Sequence, residues 1–264
     1  MHIFVISLQT SVDRRRRILD RLAELGLTAE IFWGIDGRKL PPSERRYAGR
    51  LRRLLYGKDL TDGEIGCAQS HFAVCAEIAA RGLECAMVLE DDAILADHLP
   101  QVLEILSGCG PVQGDRGWDF VRFLGKPKNI KRRKVVADLG NGLTLCRFFG
   151  TPGTACGYVV TARAAGVLAA CGRTLWTPVD ILYGQVWLHR LRVRCIVPSP
   201  AIPDDDVAST IEDARFVKKR GLRGWERIVH PIARMGFKIF DGAMKYATYY
   251  GGICLDSLPI RSRG

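Results

Sequence analysis

Residues 85–89 read Cys-Ala-Met-Val-Leu and run without a polar break into Glu90-Asp91-Asp92. An apolar run that does not alternate leaves no face for water. It reads as a strand buried on both sides, which happens where helices cover both faces of a sheet.

The rest of the chain supplies such helices and further strands. His2 to Leu8 is a short apolar strand, followed by a helical stripe of Ile18, Leu22 and Leu25 that ends at Gly26. Ala29 to Trp33 is a second strand, stopped by the turn pair Asp36-Gly37. Residues 38–58 are basic and carry prolines, and read as a loop or short helix. Thr61-Asp62-Gly63-Glu64 spells a capping box, in which hydroxyl and carboxylate reciprocally satisfy free amides. The helix it opens places Ile65, Ala68, Phe72, Cys75 and Ala79 at the 3.6 period and closes at Gly82. Trp118 to Leu124 and Leu143 to Phe149 are strands separated by a basic loop, Lys126 to Lys134. Gly157 to Thr161 is a strand leading into an Ala-rich helix through Ala170. Thr177-Pro178 starts a helix through Trp187 to Leu191, and Val193 to Val197 is the last clear strand. Strands and helices interleaved this way predict an α/β domain with a mainly parallel central sheet, whose ligands sit at the carboxyl ends of the strands.

Composition excludes other classes. Hydrophobic residues are 47% and charged residues 25% of 264, which rules out wholesale disorder, collagen and coiled coil. Nine cysteines with no C-x-x-C pair weigh against a zinc or redox motif and suit small buried hydrophobes in a reducing cytosol. The apolar run at Ile3 to Leu8 is too short for a signal peptide, and no apolar stretch is long enough to span a bilayer, so a cytoplasmic location is expected. The net charge of +11 is concentrated at the end. From Ala214 onward eleven Lys/Arg stand against three acids, a surplus of +8, and the preceding residues carry only +3.

Three consecutive acids behind a buried strand repel one another unless cations compensate them. Alternation aims Glu90 and Asp92 to one side and Asp91 to the other, and two carboxylates at i and i+2 suit Mg²⁺ or Mn²⁺. A solvated acidic turn is the competing reading. Arg14 to Arg17 begin the first helix near the end of the first strand, where Arg14 or Arg15 could meet phosphate.

Several segments together resemble glycosyltransferase family 25, the bacterial lipooligosaccharide galactosyltransferase type. They are Ile3-Phe4-Val5-Ile6-Ser7-Leu8 with Arg14-Arg15, Gly34-Ile35-Asp36-Gly37, Leu60 through Ser70-His71, and Leu89-Glu90-Asp91-Asp92. Weaker matches follow at Trp118-Asp119, Gly153 to Tyr158, Pro178-Val179-Asp180 and Ser209-Thr210-Ile211, so the resemblance runs to about residue 212. It implies a GT-A-like (Rossmann-like) nucleotide-sugar-binding domain over residues 1–212, followed by a basic amphipathic segment, 213–264. It also implies an inverting, divalent-metal-dependent transfer, typically from UDP-galactose to a lipid-linked oligosaccharide or other glycan. The acid triplet would stand for the DxD motif, with Asp92 and Glu90 toward Mn²⁺ or Mg²⁺. Ser7, Leu8, Arg14, Arg15, Asp36, Glu64, Ser70, His71, Glu90 and Asp91 would bind the nucleotide sugar, His71 by contact with the diphosphate.

Asp180 becomes the candidate general base by its match to the family's Pro-x-Asp segment. Helix-start chemistry, with Thr177 as N-cap and Pro178 at N1, explains the same residues. Asp119 and the run Asp204-Asp205-Asp206 compete for the role. After Ala214, Trp225, Ile228, Val229, Ile232 and Met235 recur at helical spacing among cations, which fits either an anionic membrane surface or a helix packed on the domain. No nucleic-acid motif accompanies this charge. A non-catalytic binder of nucleic acid or anionic surfaces, and a metal-dependent phosphoesterase, are the alternatives in other classes.

Overall fold

The computed structural model describes residues 1–108, 117–124, 130, 132–150, 152–204 and 221–256. An eight-stranded sheet forms its centre, in the order β2-β1-β3-β8-β5-β9-β7-β6. The strands are β1 (His2–Ser7), β2 (Glu30–Trp33), β3 (Cys85–Glu90), β5 (Phe120–Arg122), β6 (Arg133–Gly140), β7 (Leu143–Phe148), β8 (Gly157–Thr161) and β9 (Val193–Val197). A small antiparallel pair, β4 (Ala93–Leu95) with β10 (Ala201–Pro203), lies beside it. The helices are α1 (Val12–Glu24), α2 (Gly49–Tyr56), α3 (Asp62–Ala80), α4 (Leu99–Gly108), α5 (Ala162–Cys171), α6 (Val179–Gly184), α7 (Val186–His189) and α8 (Glu226–Asp256).

The sheet is mixed. β1 pairs in parallel with β2 and β3, and β5 with β9, whereas β8 runs antiparallel between β3 and β5, and β7 antiparallel between β9 and β6. Six strands therefore point one way and two against them. Apolar side chains cover both faces, with Phe4, Val88, Tyr158 and Val160 toward one core and Ile3, Met87, Leu89 and Val159 toward the other. This is the two-sided burial that the unbroken run at 85–89 demands.

Several local readings are corrected. The strand expected over Trp118 to Leu124 is confined to Phe120–Arg122. Arg133 and Lys134, read as loop, open β6, whose outward residues are exposed at the sheet edge. The helix expected from Thr177 to Leu191 breaks at Gln185 into α6 and α7. Its N-cap position falls on Pro178, so Thr177 does not cap it. Residues 38–58 include a helix, α2, and α4 lies in a stretch for which the sequence pattern predicts no element.

α8 packs its inner face on α2 and α7. Arg53 of α2 forks onto Glu226 with bonds of 2.8 and 2.7 Å, and His230 Nδ1 bonds Leu54 O at 2.7 Å. Trp187 donates to Asp241 Oδ1 at 2.9 Å. Among the described residues no helix is long and apolar enough to cross a membrane. The boundary at 212/213, the segment Ser209-Thr210-Ile211, Asp205, Asp206, Lys218 to Arg220 and most of the basic loop from Lys126 lie outside the described residues.

Candidate active site

Parallel pairing sets Ile6 opposite Glu90, so β1 and β3 end together and bring Ser7 beside the acid triplet. Ser7 Oγ, buried, donates to Asp91 Oδ2 at 2.7 Å. From the first turns of α1, Arg14 Nε lies 3.3 Å from Asp91 Oδ1, and its Nη1 lies 3.9 Å from Asp92 Oδ2. Arg15 Nη1 donates to Leu8 O at 3.1 Å, and its guanidinium lies over the Trp33 ring at 5.1 Å. Ser7, Leu8, Arg14, Arg15 and the three acids thus form one cluster.

The acids differ in environment. Glu90 Oε1 lies 2.9 Å from His71 Nε2 and accepts from Cys67 Sγ at 3.4 Å. Burial works to raise this carboxyl, yet the bond to His71 prevails and holds it below its ordinary range. Asp91 is raised by burial, against the bond from Ser7 and the charge of Arg14. Asp92 is pushed up to about 7 by burial and by the neighbouring charges of Glu90 and Asp91. Its Oδ1 is buried with no hydrogen-bond partner among the described residues. A buried carboxylate oxygen left unbonded between two like charges is costly, and a cation relieves both terms.

α3 builds the floor of the site. Its capping box is complete, with Thr61 N donating to Glu64 Oε2 at 2.7 Å and Glu64 N to Thr61 Oγ1 at 3.1 Å. Glu64 is therefore a capping carboxylate in the first instance. Ser70 Oγ accepts from Ile35 N and donates to Gly66 O, each at 2.7 Å, which ties the 34–37 loop to α3. A Cβ on Gly66 would collide with Ile35 O and the Gly37 backbone, so only glycine permits this approach. Asp36, on that loop, is held by Arg38 through 2.8 and 3.0 Å bonds, which lower its pKa. Both ring nitrogens of His71 are engaged, Nδ1 with Tyr158 Oη at 3.1 Å, and Tyr183 Oη donates onward to Tyr158 Oη at 3.2 Å. The proton is assigned to His71 Nε2 by this network. His71 therefore enters the site through Glu90 and has no free nitrogen for a diphosphate.

Asp180, at the start of α6, accepts from Ile181 N at 2.7 Å. Burial raises its pKa, the Arg122 guanidinium opposes that, and the charges of Glu90 and Glu64 reinforce it. Asp180 thus shares an electrostatic environment with the triplet. Asp119 does not. It precedes β5, at the amino ends of the strands, opposite the triplet, and is paired with Arg192 and Arg163 at 3.2 and 3.1 Å. Asp204 N donates to Asp92 O at 3.1 Å, and its carboxylate lies 3.7 Å from Arg17 Nη1.

Sequence reasoning missed Arg122. It is 1% exposed, donates through Nη2 to Pro152 O and Thr154 O at 3.1 and 2.6 Å, and is pushed down to about 10 by burial. These two carbonyls flank Gly153, where a Cβ would stand 3.1 Å from Asp180 Oδ2. A lone cation inside the apolar run Phe120 to Leu124 was the available signal. Cys67 was missed as well. With His71 and Glu90 it forms a group of three ligand-type atoms within 4.8 Å of one another. Burial and the Glu90 charge raise its thiol well above the ordinary value, so it stands as a protonated donor to Glu90.

Residues 1–109 match the model of glycosyltransferase family 25 (LPS biosynthesis protein). A putative glycosyltransferase of Haemophilus influenzae is 26% identical over 263 residues, covering 90% of this chain and 86% of that protein. Procollagen galactosyltransferase 1 of Danio rerio is 36% identical over 171 residues, 62% of this chain and 27% of its own. The inactive glycosyltransferase 25 family member 3 of Mus musculus is 32% identical over 151 residues, 55% of this chain and 25% of its own. The chain thus spans about a quarter of the length of these animal relatives. Over residues 1–109 this chain is thus similar to glycosyltransferase family 25, and a bacterial relative resembles it along 90% of its length.

Proposed function

We propose that this chain is an inverting hexosyltransferase that moves galactose from UDP-galactose onto a lipooligosaccharide-type or other glycan acceptor in the cytoplasm, on a nucleotide-sugar-binding fold of the GT-A kind. The observation that carries the reading is the buried, unbonded Asp92 Oδ1 beside Glu90 and Asp91, at the carboxyl ends of β1 and β3. The name of the relative Procollagen galactosyltransferase 1 supports galactose as the sugar.

The residues fit a hard divalent cation, because they offer carboxylate oxygens and one of these lacks a protein partner. Asp92 and Glu90 would hold Mn²⁺ or Mg²⁺, which when bound stabilises negative charge on the departing diphosphate. The protein's own groups perform the remaining work. Arg14 and Arg15 place guanidinium charge beside the same strand ends, where planar forks suit phosphate oxygens. Asp180 removes the acceptor hydroxyl proton as the acceptor oxygen bonds the anomeric carbon and the bond to the diphosphate breaks. Burial raises its basicity, and Arg122 keeps it ionised before the proton arrives. His71 and Cys67 fix Glu90 in place.

A thermal-shift series tests this. UDP-galactose with Mn²⁺ should raise the melting temperature, chelator should remove the rise, and turnover should release UDP. Hydrolysis of phosphate esters without a sugar donor would favour a phosphoesterase. Salt-sensitive nucleic-acid affinity indifferent to chelator, with no UDP-sugar response, would favour a binder. Donor binding without turnover on any acceptor would place this chain with the relatives named inactive.

A further inference from the structure

α8 is amphipathic in the sense opposite to that of an ordinary surface helix. Its inner face carries the Glu226, His230 and Asp241 bonds to α2 and α7, together with Phe237 packed on Tyr56 and Trp176. Its outer face is apolar. Of sixteen large hydrophobic residues exposed among those described, nine lie between Trp225 and Tyr250. Ile228, Ile232, Met235 and Ile239 follow at intervals of four, three and four, which keeps them on one stripe, and farther along the helix Tyr246 packs on Phe149. The first four are 77%, 71%, 60% and 68% exposed. A contiguous stripe of this kind marks an interaction surface, whereas scattered single residues would not.

Charge identifies the occupant. Arg223, Arg227 and Lys238 are exposed around the stripe. The helix acids whose side chains are described face away from it, Glu226 onto Arg53 and Asp241 onto Trp187 and Lys245. A second copy laid along this stripe would bring cations against cations. Nucleic acid would ask for stacking rings where the stripe offers isoleucine and methionine. We infer that the outer face of α8 seats this chain on an anionic lipid surface, with the aliphatic stripe entering the acyl boundary and the flanking cations meeting headgroups. The inference does not depend on the transfer chemistry, since it uses no residue of the acid cluster. It also unites two readings of this segment, because one helix both packs on the domain and presents a free apolar face.

The test is co-sedimentation of the full chain with vesicles of equimolar phosphatidylglycerol and phosphatidylcholine, beside vesicles of phosphatidylcholine alone. The chain should pellet with the anionic vesicles, more weakly in high salt. Ile232→Glu with Ile239→Glu should abolish pelleting with the melting temperature unchanged, since both side chains are exposed. Arg227→Gln with Lys238→Gln should lower partitioning by roughly 30-fold, at about fivefold per cation. The charge pair keeps the test decisive if the first pair disturbs folding. Wild-type chain left in the supernatant would overturn the inference, as would unchanged pelleting of both variants. A concentration-dependent dimer in sedimentation velocity, dissolved by Ile232→Glu with Ile239→Glu, would also overturn it and assign the stripe to a second copy.

Discussion

Ser7 Oγ donates a 2.7 Å hydrogen bond to Asp91 Oδ2, which locks the carboxyl end of β1 to the acid triplet that follows β3. The two residues are 84 positions apart in sequence and both are buried. The bond explains how three adjacent acids are tolerated. Asp91 turns toward Ser7 and Arg14, Glu90 turns toward His71 and Cys67, and Asp92 is left between them.

Removing that donor should therefore cost stability. Ser7→Ala leaves a buried carboxylate short of one bond and should lower unfolding free energy by about 1–3 kcal/mol. Ser7→Thr keeps the hydroxyl and should recover part of the loss. Denaturant titration of the three proteins in chelator measures both effects.

Asp180 and Arg122 are predicted to act together. Asp180→Asn should lower turnover by roughly 10²-fold or more, with UDP-galactose affinity nearly unchanged. Arg122 holds the Asp180 pKa down, so Arg122→Gln should move the acid limb of the kcat/KM profile to higher pH. An unmoved limb in a folded Arg122→Gln protein would separate the two residues.

The capping box, the run into Glu90-Asp91-Asp92 and the apolar face of α8 were legible in the sequence because each is written within a few turns of chain. Other features were not. β6 is an edge strand that opens on exposed Arg133 and Lys134, which locally read as loop. α2 takes its partner from α8, more than 170 residues onward, through Arg53 and Glu226. At the break Gly184 precedes Gln185, but a single glycine inside a helical pattern does not fix where a helix ends. The network from Tyr183 through Tyr158 and His71 to Glu90 joins four elements, and no local pattern predicts it.

His189 should give the fold an acid-sensitive component. It is buried, with Nε2 donating to Tyr183 O at 3.4 Å and Nδ1 accepting from Leu191 N at 3.2 Å. Burial pushes its pKa from 6.5 down to about 4. Between those values the unfolded chain binds a proton that the folded chain refuses, so stability falls as pH drops through that window. The loss is about 3 kcal/mol, and His189→Gln should lack it. Chemical denaturation near neutral pH and near pH 4 compares the two.

Asp92 should trade stability for binding. Its ionised carboxylate is buried beside Glu90 and Asp91, so Asp92→Asn should be more stable than wild type in chelator above neutral pH, by about 2 kcal/mol. A loss of stability instead would mean that the charge of Arg14 outweighs the burial of the carboxylate.

Titration calorimetry of UDP into wild type and Asp92→Asn, each with Mn²⁺ and with chelator, tests the proposed site most directly. Wild type should bind UDP tightly only with Mn²⁺, and the folded Asp92→Asn protein should bind it weakly and equally in both conditions. Unchanged Mn²⁺-dependent affinity in Asp92→Asn would contradict the assignment of the acid triplet to a cation.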